Sequence, residues 1–304
     1  MIRSVTVTNH LGASLKMELA RPDRSGFVVE SIQGLGPEKA DVNITEVSTD
    51  DGGILNSSRV PCKNIVLSLS FLWRNTVEEM RQLSYRYFPL KKKIKLLFET
   101  DNRLVEIVGI VESNDPDIFS DREGTEISIL CEKPFFYSAG DQGLQVAEFY
   151  SIIPMFEFPF GNESLNEPLL IMGEIHHLAE KTITYEGDTE VGITITIHAV
   201  GEAKGITIYN TGTREIMSID TEKIKTLTGS GIVAGDDIII STVRGSKSIR
   251  LLRQGVYTNI LNCLDKNASW FMLSNGENTF AYTAEEGIWN LRMTIENRIL
   301  YWGI

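Results

Sequence analysis

Basic residues are in deficit in this chain of 304 residues: 29 Lys and Arg stand against 41 Asp and Glu, a formal net charge of -12. Affinity for a phosphate backbone is built from clustered Lys and Arg, so a surface that condenses on nucleic acid is excluded. DNA could still slide past an acidic wall. Cysteine is scarce as well, and Cys62, Cys131 and Cys263 are widely separated with no CxxC spacing. That fits neither a disulfide framework nor a zinc site, and it suits synthesis in a reducing cytoplasm. No apolar run approaches the roughly 18 residues that span a bilayer, so no membrane insertion is expected. The opening MIRSVTVTNHLG lacks the apolar stretch of a secretory signal and reads as a first strand. Also missing are a GxSxG elbow, a Walker loop and an HExxH pair, the residue patterns that carry nucleophilic, phosphoryl-transfer or zinc-hydrolase chemistry. No enzyme activity, cofactor or metal is expected.

What is present is an ordinary globular composition, 42% hydrophobic and 23% charged, over a length that suits two domains. Val5 and Val7 alternate with threonines; Val28, Val29 and Ile32 precede a Gly34-Leu35-Gly36-Pro37 break; Ile65, Leu67, Leu69 and Phe71 share one strand face. Thr76 with Glu79 three residues on forms a capping box, and Val77, Met80 and Tyr87 follow at helical spacing until Pro89. One short helix is therefore expected in the first half. Residues 94–111 read as a hairpin about Asp101-Asn102-Arg103, and Ile127, Ile129 and Cys131 form the buried side of a strand that stops at Pro134.

After Tyr137 the text changes to Ser138-Ala139-Gly140-Asp141 and then to an aromatic, Pro-punctuated stretch, which places a boundary near 138–145. The expected domains are 1–138 and 139–304. In the second, strands are expected at 181–185, 192–199, 205–209, 215–219, 270–273, 278–282 and 288–295, with a hairpin over 235–257 about Arg244-Gly245-Ser246. Close spacing and turn residues argue for all-β sandwiches rather than βαβ units. The fold class is mainly β: two β-sandwich-like domains, the first with a short α-helix.

Few side chains invite chemistry. His176-His177 is the one imidazole pair, but neighbours on a strand point to opposite faces and cannot easily chelate, so a surface or loop role is the ordinary reading. His10 and His198 are isolated and read as structural. Asp50-Asp51-Gly52-Gly53 and Asp236-Asp237 are what tight turns ask for before they are paired catalytic carboxylates. Lys91-Lys92-Lys93 follows a helix end, where it complements the helix dipole. Trp270, Phe271, Tyr282, Trp289, Tyr301 and Trp302 could stack sugars, yet aromatics in half-buried strands are first of all core material. In residues 41–62, Val42, Ile44 and Val47 precede an Asp51-Gly52 turn, with Ile54 and Val60 after it. This is a polar hairpin with too few apolar side chains to be held by its own domain, and it needs a partner surface.

The order of these phrases resembles the distal tail proteins (Dit) of long non-contractile phage tails and related prophage particles. The resemblance rests on Thr8-Asn9, Gly12, Ile32-Gln33-Gly34-Leu35-Gly36, the Asp51-Gly52 turn, Arg86-Tyr87-Phe88-Pro89 and Pro134-Phe135-Phe136-Tyr137. In the second half it rests on FEFPF at 156–160, Tyr185-Glu186-Gly187-Asp188, Ala199-Val200-Gly201, Gly235-Asp236, Gly245-Ser246-Lys247, Trp270 and Gly276. It implies a structural hub of the tail tip or baseplate: a first domain that forms a six-membered ring and a galectin-like second domain. It further implies that the 41–62 hairpin, with Ile44, Val47, Asp51, Gly52 and Ile54, is an arm embracing the next subunit. Implied partners are further copies of the chain, the major tail tube and tape-measure proteins, a tail-associated fibre or lysin, and a receptor-binding or baseplate protein, with DNA only passing through the lumen. The implied location is the virion tail tip after synthesis in the bacterial cytoplasm. The rival expectation is a carbohydrate-binding adsorption module in the second domain.

Overall fold

A computed structural model describes residues 1–46, 51–72, 76–119, 123–140, 143–154, 173–177 and 180–304. The chain divides into two compact units, Met1–Leu144 with Leu300–Ile304, and Gln145–Ile299. The sequence puts the boundary near 138–145, with domains 1–138 and 139–304, whereas Leu300–Ile304 groups with the first unit. Local pattern carries no trace of a strand pairing across 160 residues of chain, which is what returns this segment to the first unit.

In the first unit the strands are β1 (Ile2–Thr8), β2 (Ser14–Glu18), β3 (Phe27–Gln33), β4 (Asp41–Glu46), β5 (Gly53–Arg59) and β6 (Lys63–Phe71). Helix α1 (Val77–Tyr87) follows, then β7 (Lys93–Thr100), β8 (Leu104–Asp117), β9 (Gly124–Cys131) and β10 (Phe136–Ser138). Among the described residues they pair in the order β2-β1-β7-β8-β9-β6-β3, with β10 beside β8. The alternation read from the sequence is obeyed, since Val5, Val7, Ile65, Leu67, Leu69, Ile127, Ile129 and Cys131 are all buried. Phe27 meets Phe71 edge-on at 5.8 Å and Phe98 meets Phe136 at 5.9 Å, the arrangement that ring quadrupoles prefer. The Thr76 hydroxyl caps α1 by accepting from the Glu79 amide at 3.3 Å, and the helix turns Met80 and Ser84 inward.

The Gly34 break has a steric reason. Its φ is +82°, and a Cβ there would lie 2.0 Å from the Asn64 carbonyl oxygen. Gly34→Ala is therefore expected to cost about 1–3 kcal/mol through both strain and overpacking. Urea denaturation reads this directly, and a loss below about 0.5 kcal/mol would show that the loop relaxes freely.

The second unit contains β11 (Leu144–Glu148), β12 (Tyr150–Pro154), β13 (Gly173–His177), β14 (Glu180–Tyr185), β15 (Val191–Gly192), β16 (Thr194–Ala199), β17 (Lys204–Asn210) and β18 (Glu215–Ile219). After helix α2 (Thr221–Thr228) come β19 (Asp237–Ser241), β20 (Ser248–Arg253), β21 (Val256–Asn259), β22 (Met272–Leu273), β23 (Gly276–Glu286) and β24 (Leu291–Arg298). The main sheets run β11-β24-β16-β19-β20-β21 and β14-β23-β17-β18, all antiparallel. Each buries one side, with Ile195, Ile197, Ile238 and Ile240 on the first and Ile206, Ile208, Met217 and Phe280 on the second. The 235–257 hairpin forms as expected, Gly245 turning it at φ +84°.

Two local readings change. The 288–295 strand begins at Leu291, because Ile288–Asn290 is a 3-10 turn entered through Gly287 at φ +74°. Helix α2 was not foreseen, although its punctuation is present: the Asp220 carboxylate accepts from the Glu222 and Lys223 amides at 3.0 and 3.1 Å, and Gly229 ends it at φ +83°. Among the described residues no helix is long and apolar enough to cross a membrane.

Candidate functional site

The hairpin β4–β5 stands apart from both units' sheets, pairing only with itself among the described residues. Ile44 faces Leu55 and Thr45 faces Ile54, with a register irregularity between Asn43 and Ile44. Gly52 makes the turn at φ +97°, a conformation that suits glycine. Of the five residues singled out from the sequence, Ile44, Asp51, Gly52 and Ile54 lie on this hairpin, and Val47 lies outside the described residues. Every residue of both strands is exposed.

The hairpin carries its own polar braces: the Asn56 amide donates to the Thr45 hydroxyl at 2.6 Å and Arg59 pairs with Asp41 at 3.3 Å. Both are solvent-exposed and contribute little. What distinguishes it is apolar exposure, with Val42, Ile44, Ile54 and Leu55 each 54–62% open. Full burial of such a side chain is worth about 1.5–3 kcal/mol, and at this exposure more than half of the surface remains in water. A two-stranded ribbon is marginal by itself. Its chemistry is that of a contact surface awaiting a partner.

The second unit contains a densely hydrogen-bonded ion pair with a buried acid. Arg253 reaches Asp236 through two nitrogens at 2.8 and 2.6 Å, and its guanidinium also donates to Thr228, Ser230 and the Gly231 carbonyl. Asp236 is 1% exposed and accepts in addition from the Val233 amide at 2.9 Å. The turn read from the sequence at Asp236 is present, its amide donating to the Val233 carbonyl at 3.2 Å, but the carboxylate is buried against Arg253 and not solvated. Asp236 braces the loop after α2 from inside, while Asp237 meets His198 Nδ1 at 2.6 Å. His198, which reads as isolated in the sequence, is thus paired with Asp237 across β16 and β19.

A cleft of about 620 Å³ lies beside the start of α2, lined in part by Lys204, Thr207, Ser218, Lys223, Asp265 and Lys266. Its charges are mixed and largely engaged, Lys204 with Glu286 and Lys223 with Asp220. Among the described residues no group of three His, Cys, Asp or Glu could hold a metal. His176 and His177 sit in succession on β13, opposite Ser151 and Tyr150 of β12. The aromatic residues singled out from the sequence are divided between the two units. Phe271 and Tyr282 are buried in the second unit, Trp289 is 78% exposed, and Tyr301 and Trp302 belong to the first unit.

Burial makes two of the three thiols inert. The Cys131 thiol is pushed up to about 12, desolvation outweighing the nearby Lys63 ammonium, and burial also raises Cys263. Cys62 is exposed. Iodoacetamide at pH 8 is expected to add one label to the native protein, at Cys62, and three after unfolding. Rapid native labelling of Cys131 would contradict the packing of β9.

No protein-family model and no curated protein matches this sequence. Solved structures do. The crystal structure of phage SPP1 Dit (gp 19.1), described as a paradigm of hub adsorption apparatus in Gram-positive infecting phages, matches with a TM-score of 0.62 at 11% identity, covering 96% of this chain and 97% of that one. A chain of the phage p2 baseplate in its activated conformation with Sr matches with a TM-score of 0.51 at 12% identity, covering 98% of this chain and 99% of that one. The chain therefore has a Dit-like phage tail hub fold, mainly β.

Proposed function

We propose that the protein is a structural hub of a phage-type tail tip, in which copies of the first unit close into a ring and the second unit engages the adsorption apparatus. The observation that carries this reading is the match to SPP1 Dit along nearly the whole of both chains. The exposed β4–β5 hairpin supports it independently. A ring is a heterologous interface repeated until it closes, so each copy must present a projecting element to the next. Ile44, Ile54 and Leu55, with Val42, supply the apolar contact and Gly52 the turn; Asp51 and Val47 belong to the same arm.

On this reading the ring has six members and a lumen that DNA traverses. Its acidic charge keeps a polyanion from sticking there. The neighbours are the tail tube and tape-measure proteins on one side and a fibre, lysin or receptor-binding protein on the other, at the virion tail tip, and the role is not enzymatic. Negative-stain electron microscopy of the purified protein, alone and mixed with its tail-tip neighbours, is expected to show closed rings with a central hole. Particles that stay monomeric by light scattering at high concentration, with no ring in either sample, would overturn it.

A further inference from the structure

Lys63 is the one lysine at 0% exposure among the described core residues, and the hub reading gives it no task. It sits at the start of β6, where its ammonium is surrounded by main-chain oxygens. Lys63 Nζ donates to the carbonyls of Gly34 at 3.2 Å, of Gly36, and of Trp302 at 3.5 Å. Glu38 Oε1 lies 3.7 Å away and the Phe136 ring centroid 5.2 Å away. A buried charge is tolerated only when its partners replace water, and this set replaces it. Those oxygens come from two stretches of chain brought to Lys63 on β6: the Gly34–Glu38 loop, which supplies two carbonyls and the Glu38 carboxylate, and the segment after β24, which supplies the Trp302 carbonyl.

That segment is held at several further points. Strand β25 (Leu300–Tyr301) pairs with β10, Phe136 facing Tyr301 and Tyr137 facing Leu300. The Ile304 amide donates to the Leu35 carbonyl at 3.1 Å, and the Trp302 ring lies 4.7 Å from that of Phe135. Arg103 stacks over Tyr301 at 4.4 Å. At Gly303 a Cβ would lie 2.9 Å from the Leu35 oxygen, so the contact admits only glycine without a shift.

We infer that Lys63 is the positioning residue of a latch that fastens the Leu300–Ile304 segment to the first unit, so that the second unit is an insertion attached through two adjacent strands. The chain leaves the first unit after β10 and re-enters it at β25, the strand paired with β10. An ammonium on β6 that donates both to the Gly34–Glu38 loop and to the Trp302 carbonyl ties the returning segment to that loop, and the Ile304 amide on the Leu35 carbonyl closes the same contact. Releasing the latch leaves β10 with an unpaired edge, a surface open to strand pairing with another chain.

Two full-length variants test it by hydrogen exchange. Lys63→Met keeps the stem and removes the donors, and Gly303→Val pushes the segment off Leu35 without touching the core. Both are expected to speed exchange at the Tyr301 and Ile304 amides at least 10-fold, with β1, β7 and β8 unchanged. Lys63→Ala should show the same local loss, and 100 mM propylammonium, which replaces the deleted stem and charge, should restore protection where 100 mM NaCl does not. Unchanged exchange, or equal acceleration through all the strands of the first unit, would overturn the latch; if the Lys63 variants fail to fold, Gly303→Val decides alone by the same criterion. Ring formation in these variants, read by microscopy, reports separately on the hub.

Discussion

Arg253→Met lowers the stability of the second unit by about 3–5 kcal/mol, the loss expected when one partner of a buried ion pair is removed and the other is left without compensation. The stranded group is Asp236, 1% exposed, which keeps only the Val233 amide as a donor once the guanidinium is gone. The same substitution frees Thr228, Ser230 and the Gly231 carbonyl at the end of α2. Adding Asp236→Asn to Arg253→Met is expected to recover at least about 1 kcal/mol, because a neutral amide is cheaper to bury and its oxygen can still accept from Val233. Denaturant unfolding monitored at the tryptophans of this unit measures both. A single variant within about 1 kcal/mol of the parent, or a double variant no better than the single, would show that Arg253 packs there without holding a charge.

Replacing residues 43–59 with a short Gly-Ser linker abolishes ring assembly and leaves a cooperatively folded monomer. The physical basis is that both hairpin strands are exposed throughout and contribute no residue to the buried core of the first unit. In the proposed ring Ile44, Ile54 and Leu55 are buried against another copy, so their removal is expected to subtract from association and scarcely from folding. Sedimentation velocity and electron microscopy read assembly, and near-ultraviolet circular dichroism with urea unfolding reads the fold. A shortened chain that still closes into rings removes the arm from the interface. One that does not fold assigns the hairpin to the core.

The two expectations differ in how visible they were beforehand. The hairpin could be read in the sequence, because alternation about Asp51-Gly52 is a local pattern and its poverty in apolar residues is a count. So could the capped helix at Thr76, the β6 face and the 235–257 hairpin, each set by neighbours within a few positions. Asp236 could not. Next to Asp237 and after Gly235 it has the form of a turn residue, and nothing nearby says that Arg253, 17 positions on, will fold back over it. Helix α2 lay between these cases: Asp220 and Gly229 marked its ends, but eight residues with few apolar side chains gave too weak a period to stand out between strands.

Alternation, turn chemistry and the scarcity of Cys and basic residues were enough to decide that this is a mainly β, two-part protein with a polar hairpin unsupported by its own domain. Those properties depend on period and composition, which the chain displays residue by residue. The Lys63 cage, the return of Leu300–Ile304 to β10 and the scattering of the aromatic residues between two units belong to the tertiary structure alone. The Lys63–Trp302 contact and the pairing of β25 with β10 depend on segments that meet across more than 100 residues, and such meetings are settled by the packing of whole sheets, which no local stretch of sequence encodes.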